Sequence, residues 1–229
     1  MKRRFVVFVM ALAILALPAL AKAEVLSGFY AGVHGGFNFK MDSDNWLDVV
    51  PDPVSYYRYN TGGAVGLALG YGFATSSVVK PRAEVELTWR RNNMNSMIIS
   101  FGVIDFDLVP GFKVTDSSLS IMANFLLDFD LGSKFNPYLG IGIGAARVWI
   151  KANEAWFLPY LLESFQDTAF AYQGKIGFNY LLTSNISLFA EYNYLRSTKF
   201  EDSGMPGVTT IIGGLSDHSV MVGLRFAFN

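Results

Sequence analysis

The 229-residue chain has no cysteine and only two histidines, His34 and His218. The first absence excludes a disulfide framework, a zinc–thiolate site, a cysteine nucleophile and a lipidated cysteine. The second leaves little for acid–base chemistry near neutral pH. Charge is also scarce: Asp, Glu, Lys and Arg make up 16% of the residues against 52% hydrophobic ones, with 22 glycines and 15% aromatics. That composition is far from a disordered chain or a coiled coil. The net charge of −1 becomes −5 when the four basic residues before position 24 are left out. No cationic footprint for nucleic-acid phosphates is present, so no nucleic-acid partner is expected.

The N-terminus reads as an address. Lys2, Arg3 and Arg4 precede an apolar stretch from Phe5 to Leu17, followed by Pro18 and the small-residue sequence Ala21-Lys22-Ala23. This is the three-part pattern of a secretory signal peptide cleaved after Ala23. The 13 apolar residues are too few to span ~30 Å as a helix, which argues against a membrane anchor. Residues 1–23 are expected to be removed, leaving 24–229 as a single domain.

From residue 29 onward the chain alternates with a period of two, the mark of a strand with two unlike faces. Phe29, Ala31, Val33, Phe37 and Phe39 oppose Tyr30, Gly32, His34, Asn38 and Lys40. In a second segment Val65, Leu67, Leu69 and Tyr71 oppose Ala64, Gly66, Ala68 and Gly70. In a third, Ala83, Val85, Leu87 and Trp89 oppose Arg82, Glu84, Glu86 and Arg90. The pattern recurs around 118–129, 139–146, 170–180, 186–194 and 219–228, which makes eight segments. Connections near 74–78, 130–134 and 182–185 are short, whereas those near 41–59, 91–117, 148–167 and 196–217 are long. A soluble sandwich has no reason to sort its connections this way, but an outer-membrane barrel does. Each segment is long enough to cross as a tilted strand, for which ~9–11 residues suffice.

The expected fold is therefore all-β: a transmembrane antiparallel up-and-down barrel, most simply of eight strands, with short periplasmic turns and four long extracellular loops. The apolar run within 96–106 leaves room for one more hairpin and hence for ten strands. Phe29, Tyr71, Phe73, Phe129, Phe135, Tyr138, Tyr180, Phe226 and Phe228 gather at the short-turn end, as an interfacial aromatic girdle would. Trp46, Trp149 and Trp156 are placed for the opposite belt.

Several motifs carry less than they first promise. Thr61 to Val79 is free of charge and contains Gly62, Gly66 and Gly70 at small-xxx-small spacing. Its small residues recur at every second position, however, and glycine weakens a helix by ~1 kcal/mol relative to alanine. The run Gly140-Ile141-Gly142-Ile143-Gly144-Ala145 fits a dinucleotide fingerprint but continues as a strand where a helix should open. Asp42, Asp44 and Asp48 lack the glycine and distal glutamate of a calcium loop. His218 and Ser219 invite a hydrolase reading, yet successive strand residues point to opposite faces. No catalytic residue, cofactor or metal is expected.

The inward set is more informative. Arg82, Arg90, Lys175 and Arg225 share it with Glu84, Glu86 and Glu191, a nearly balanced network able to pair across the lumen. Eight-stranded barrels are filled by side chains, which favours a plug. Glycine-rich inner faces on the first, second and fifth segments leave some room, which keeps a narrow ion path open as an alternative.

The chain resembles the eight-stranded outer-membrane barrels of Gram-negative bacteria: OmpA-type transmembrane domains, opacity-like proteins and surface antigens of alphaproteobacterial pathogens. The resemblance is carried by Gly28-Phe29-Tyr30-Ala31-Gly32, Asn136-Pro137-Tyr138-Leu139-Gly140-Ile141-Gly142, Phe189-Ala190-Glu191-Tyr192-Asn193-Tyr194 and His218-Ser219-Val220-Met221-Val222-Gly223-Leu224-Arg225-Phe226. Such barrels usually end in an aromatic residue read by the assembly machinery; here Asn229 follows Phe228. The resemblance implies a multi-pass protein of the outer membrane, in contact with its lipid and lipopolysaccharide and inserted by the barrel assembly machinery. The expected role is a surface scaffold whose loops meet an environmental or host ligand. Trp46, Tyr56, Tyr57 and Tyr59 in the first loop and Trp156, Phe157 and Tyr160 in the third are the contact candidates. A small porin and, further off, a lipid-modifying enzyme are the alternatives.

Overall fold

The computed structural model describes residues 27–41, 43–47, 55–101, 104–107, 113–153, 165–205, 208–212 and 214–228. They form thirteen strands: β1 (Gly28–Lys40), β2 (Ser43–Leu47), β3 (Ser55–Tyr59), β4 (Gly62–Gly72), β5 (Val79–Phe101), β6 (Ile104–Asp107), β7 (Lys113–Phe129), β8 (Phe135–Asn153), β9 (Phe165–Leu181), β10 (Ile186–Ser197), β11 (Phe200–Met205), β12 (Val208–Ile212) and β13 (Ser216–Phe228). No helix among the described residues is long and apolar enough to cross a membrane; the crossing is made by strands.

Eight of the thirteen close a ring. β1, β4, β5, β7, β8, β9, β10 and β13 pair antiparallel in that order. β13 then returns to β1, from Phe29 opposite Phe228 to Lys40 opposite Asp217. A backbone amide in hydrocarbon must find its partner within the protein, and a closed ring leaves no edge unpaired. The ring is inside-out relative to a soluble barrel. Phe29, Leu69 and Ile141 are about two-thirds exposed on the outer wall, whereas Glu86 and Arg90 are each 1% exposed inside. The eight alternating segments of the sequence are these eight staves, with the expected parity in each.

The described parts of the long connections are largely strands. β5 is 23 residues long, about twice what a crossing requires. Its last third leaves the ring and heads a second sheet, in the order β11-β12-β2-β3-β5. Tyr59 meets Met94 and Ser55 meets Ile99; Ser43 meets Tyr57, and Ile211 meets Trp46. The apolar run at 96–106 does form a hairpin, with Ile98 opposite Asp107 and Phe101 opposite Ile104. That hairpin belongs to the second sheet, so the ring keeps eight staves. β7, β8 and β9 likewise stay paired past the expected loop boundaries, as far as Lys113 with Asn153 and Ile150 with Phe165. Above the bilayer neither face of a strand meets lipid, so the alternation that marks a stave fades while its hydrogen bonding continues.

The short-turn end matches expectation. Gly132 adopts φ +68 in the turn from β7 to β8, a conformation glycine takes without steric cost, and its N–H donates to Asp130 Oδ1 at 3.0 Å. Aromatic rings pack edge to face along this rim: Phe29 with Tyr71 at 4.8 Å and Phe226 with Phe228 at 5.3 Å between centroids. Tyr138 departs from the expected girdle. It lies on the inward parity of β8 and is 1% exposed inside the lumen.

Candidate functional site

Among the buried charges of the inner wall, Arg82, Arg90, Lys175 and Arg225 stand with Glu84, Glu86, Glu191 and Asp128, while Lys80 lies toward the short turns and Asp116 and Asp217 toward the loops. A charge taken out of water is stable only when paired and hydrogen-bonded, and the ring supplies partners from strands far apart in sequence. Lys175 on β9 is the hub. Its ammonium stands 3.1 Å from Glu191 Oε1 and 3.5 Å from Glu84 Oε1, and it also pairs with Glu86. Tyr30 OH donates to Glu84 Oε2 at 2.7 Å, and Tyr138 OH to Glu191 Oε2 at 2.8 Å. Thr88 Oγ1 donates to Glu86 Oε1 at 3.0 Å and meets His34 Nε2 at 3.1 Å.

Nearer the short turns, the Arg82 guanidinium lies 3.3 Å from Asp128 Oδ2 and stacks over the rings of Tyr30 and Tyr138 at 5.4 and 5.0 Å. The Arg225 guanidinium lies 3.8 Å from the Phe189 ring centroid and donates to Tyr138 OH at 3.3 Å and to Asn179. Toward the loops, Arg90 donates to Ser120 Oγ at 2.7 Å and to Ser219 Oγ at 3.4 Å. Ser219 in turn donates to Asn38 Oδ1 at 2.6 Å, and Asn38 donates to Asn92 Oδ1 at 2.7 Å. All seven charged residues singled out from the sequence are thus inside. Arg82, Glu84, Glu86, Lys175, Glu191 and Arg225 form one connected network, and Arg90 joins a separate polar layer above it.

Five inner glycines have a packing role that the alternation alone does not reveal. Gly66 lies opposite His34 and Gly70 opposite Tyr30; Gly142 lies opposite Asn124, Gly177 opposite Tyr138 and Gly223 opposite Phe189. A Cβ placed on any of the five would run into the side chain of that opposite residue. The space left by each of these five missing side chains is therefore taken by its cross-strand neighbour. This large–small pairing is how eight staves accommodate Tyr, His and Phe in a narrow interior.

Sequence reasoning did not find the apolar half of the upper lumen. Met122, Ala146, Val148, Ala169, Ala171, Leu195, Phe200 and Leu215 form one buried cluster on the β7–β10 side. Phe200 comes from the start of β11, outside the ring, so nothing in a stave pattern points to it. Tyr30 and Tyr138 were also missed as network members, although their even numbers on β1 and β8 place them on the polar face.

Ser219 is fully buried in the lumen, while His218 lies on the outer face, where its Nδ1 meets Tyr192 OH. The two point apart, as their adjacent places in the strand require. Among the described residues no group of three or more His, Asp or Glu side chains is placed to hold a metal ion. Trp46 lies on β2, and Tyr56, Tyr57 and Tyr59 on β3, all in the second sheet; Lys40 sits over the Tyr59 ring at 4.9 Å. Trp149 is on the outer wall of β8 beneath Arg147, 5.4 Å from ring to guanidinium. Trp156, Phe157 and Tyr160, like residues 1–23, lie outside the described residues.

Comparison with known proteins agrees with this architecture. A family model described as the outer membrane protein beta-barrel domain matches residues 7–228. Outer membrane protein PagN of Salmonella typhimurium is 28% identical over 141 residues, which cover 58% of this chain and 57% of PagN. The chain thus matches little more than half the length of that relative. An uncharacterized protein of Brucella abortus is 26% identical over 246 aligned positions, covering 89% of this chain and 86% of its own length. Among solved structures, OprG of Pseudomonas aeruginosa superimposes with a TM-score of 0.55 at 16% identity, over 89% of this chain and 98% of its own. The outer membrane protease OmpT of Escherichia coli does so with 0.51 at 10% identity, over 90% and 99%. At these identities the two structures speak for the fold alone. The closed ring, its lipid-facing apolar wall and the family match agree: the chain belongs to the outer membrane β-barrel protein family and crosses the outer membrane with eight strands.

Proposed function

We propose that the protein is a non-conducting, non-catalytic scaffold of the outer membrane whose second sheet carries its contacts with the environment or a host. In this reading residues 1–23 direct export and are removed, and 24–229 are inserted by the barrel assembly machinery. One observation carries the proposal: the interior is filled by a paired ionic network, while segments of three of the four long connections are joined into one sheet beyond the ring. A rigid stem that presents ordered connections is how scaffolds display binding residues. Trp46, Tyr56, Tyr57 and Tyr59 on β2 and β3 are the contact residues of the first connection, and Trp156, Phe157 and Tyr160 those of the third. Aromatic side chains anchor interfaces at low entropic cost. The opposed directions of His218 and Ser219 support the absence of a hydrolytic dyad.

The test is exchange of segments 43–58 and 201–212 for short turns in cells displaying the protein. Adherence to epithelial cells and matrix-coated surfaces should be lost while the heat-dependent gel shift of a folded barrel is retained; unchanged adherence contradicts the proposal. The second reading, a small porin, is favoured by the charges lining the interior. It requires Glu84→Gln or Arg82→Ala to change ion selectivity.

A further inference from the structure

The outer wall of the barrel carries a feature that neither the lumen nor the second sheet uses. Every described charge that points outward from a stave is a cation, and all lie at the loop end: Arg91 on β5, Arg147 and Lys151 on β8, and Arg196 on β10. Each follows, on the outward parity, the last residues of its apolar stretch. Arg147 is engaged by Trp149 and by Gln166, whose Oε1 accepts from it at 3.2 Å. The Arg91 side chain has no hydrogen bond or ion pair among the described residues.

Arg91 also stands at the rim of a groove. An open depression of about 480 Å³ runs down the outer wall from Thr61, Arg91 and Asn93 to Val65 and Trp89. Its floor is bare at Gly63 on β4, an outward position without a side chain. A Cβ on Gly63 would have only the Gly36 carbonyl near it, at 3.9 Å. Polar and cationic groups at the top, an exposed tryptophan beside them and an apolar trough beneath repeat, on one patch of wall, the layering of a lipid headgroup above its chain. This face lies in the bilayer, so what covers it is lipid.

We propose that the groove seats one outer-leaflet lipid bearing a phosphate, with the phosphate on Arg91 and an acyl chain along the trough over Gly63, beside Val65 and Trp89. A guanidinium presents a planar fork of donors matched to phosphate oxygens. The bare trough lets a chain lie closer to the backbone here than on a wall studded with Leu and Phe. Asn93 and Thr61 supply further polar groups at headgroup level.

The full mature chain, refolded in detergent, tests this by native mass spectrometry with bisphosphorylated lipid A and its dephosphorylated form. The wild-type protein should retain one phosphorylated lipid preferentially. Arg91→Gln should weaken that retention about fivefold, the effect of one cation at a membrane surface. Gly63→Val, which fills the trough where space is free, should weaken it at least as much, with the heat-dependent gel shift confirming a folded barrel in both. Arg196→Gln removes the same charge from a wall without a trough and should leave the tightest lipid in place. Equal retention of the two lipid forms, no effect of Arg91→Gln or Gly63→Val, or an equal loss in Arg196→Gln would overturn the proposal. So would displacement of the lipid by inorganic phosphate alone, which would reduce the groove to an ion site.

Discussion

The ammonium of Lys175 on β9 and Oε1 of Glu84 on β5 stand 3.5 Å apart across the lumen, although β7 and β8 lie between their strands in the wall. The contact spans the interior, and its neighbours Glu86 and Glu191 leave Lys175 as the only ammonium among three carboxylates. Replacing it with a neutral chain of similar length therefore leaves buried negative charge uncompensated. Lys175→Met should lower stability by about 3–5 kcal/mol, the cost of breaking a buried ion pair from one side. Urea unfolding in lipid vesicles followed by tryptophan fluorescence measures this. A loss under about 1 kcal/mol, the range of solvent-exposed pairs, would mean that water already reaches the site.

Gly36 and Gly63 give a paired test of wall geometry. On the inward parity of β1, a Cβ at Gly36 would collide with the carbonyl oxygen of Val220 and approach Met221 Cα to 2.8 Å. Backbone cannot yield there as a side-chain tip can. Gly36→Ala should reduce the fraction that refolds, seen as loss of the heat-shifted band, whereas Gly63→Ala should refold like the wild type. Indistinguishable yields would contradict the β1–β13 register that sets Gly36 opposite Met221.

The second sheet should be dispensable for the ring. Asn38 already faces Gly62 across the β1–β4 pair, so a short turn can replace residues 43–58 without disturbing a stave. The shortened protein should keep its heat-dependent mobility and lose less than about 2 kcal/mol, because the ring's cross-strand bonds are untouched. Failure to fold would place the nucleus of the barrel in its connections.

Arg90 illustrates what the amino-acid order does and does not reveal. Its inward direction was legible, because Arg82, Glu84 and Glu86 share its parity while Ala83, Val85, Leu87 and Trp89 take the other. Its partners were not. Ser120 is 30 residues away on β7 and Ser219 is 129 residues away on β13, and both contacts depend on how the ring closes. Period-two patterning fixes a face, while cross-lumen distances follow from stagger and closure, which no single segment encodes. The same limit explains the glycines. Gly66 reads as empty space until the register sets it opposite His34. It also explains Tyr138, assigned to the girdle by its place in the chain and moved into the lumen by its parity. The second sheet was illegible for another reason: its strands are short, and above the bilayer polar residues are tolerated on both faces.

Whether the lumen is sealed decides between the scaffold and the porin, and planar-bilayer recording of the refolded mature chain measures it directly. The paired interior predicts no steady single-channel current in wild type, with Glu84→Gln and Arg82→Ala equally silent. Steady, charge-selective steps in the wild-type protein, altered in ion preference by those two substitutions, would contradict the account.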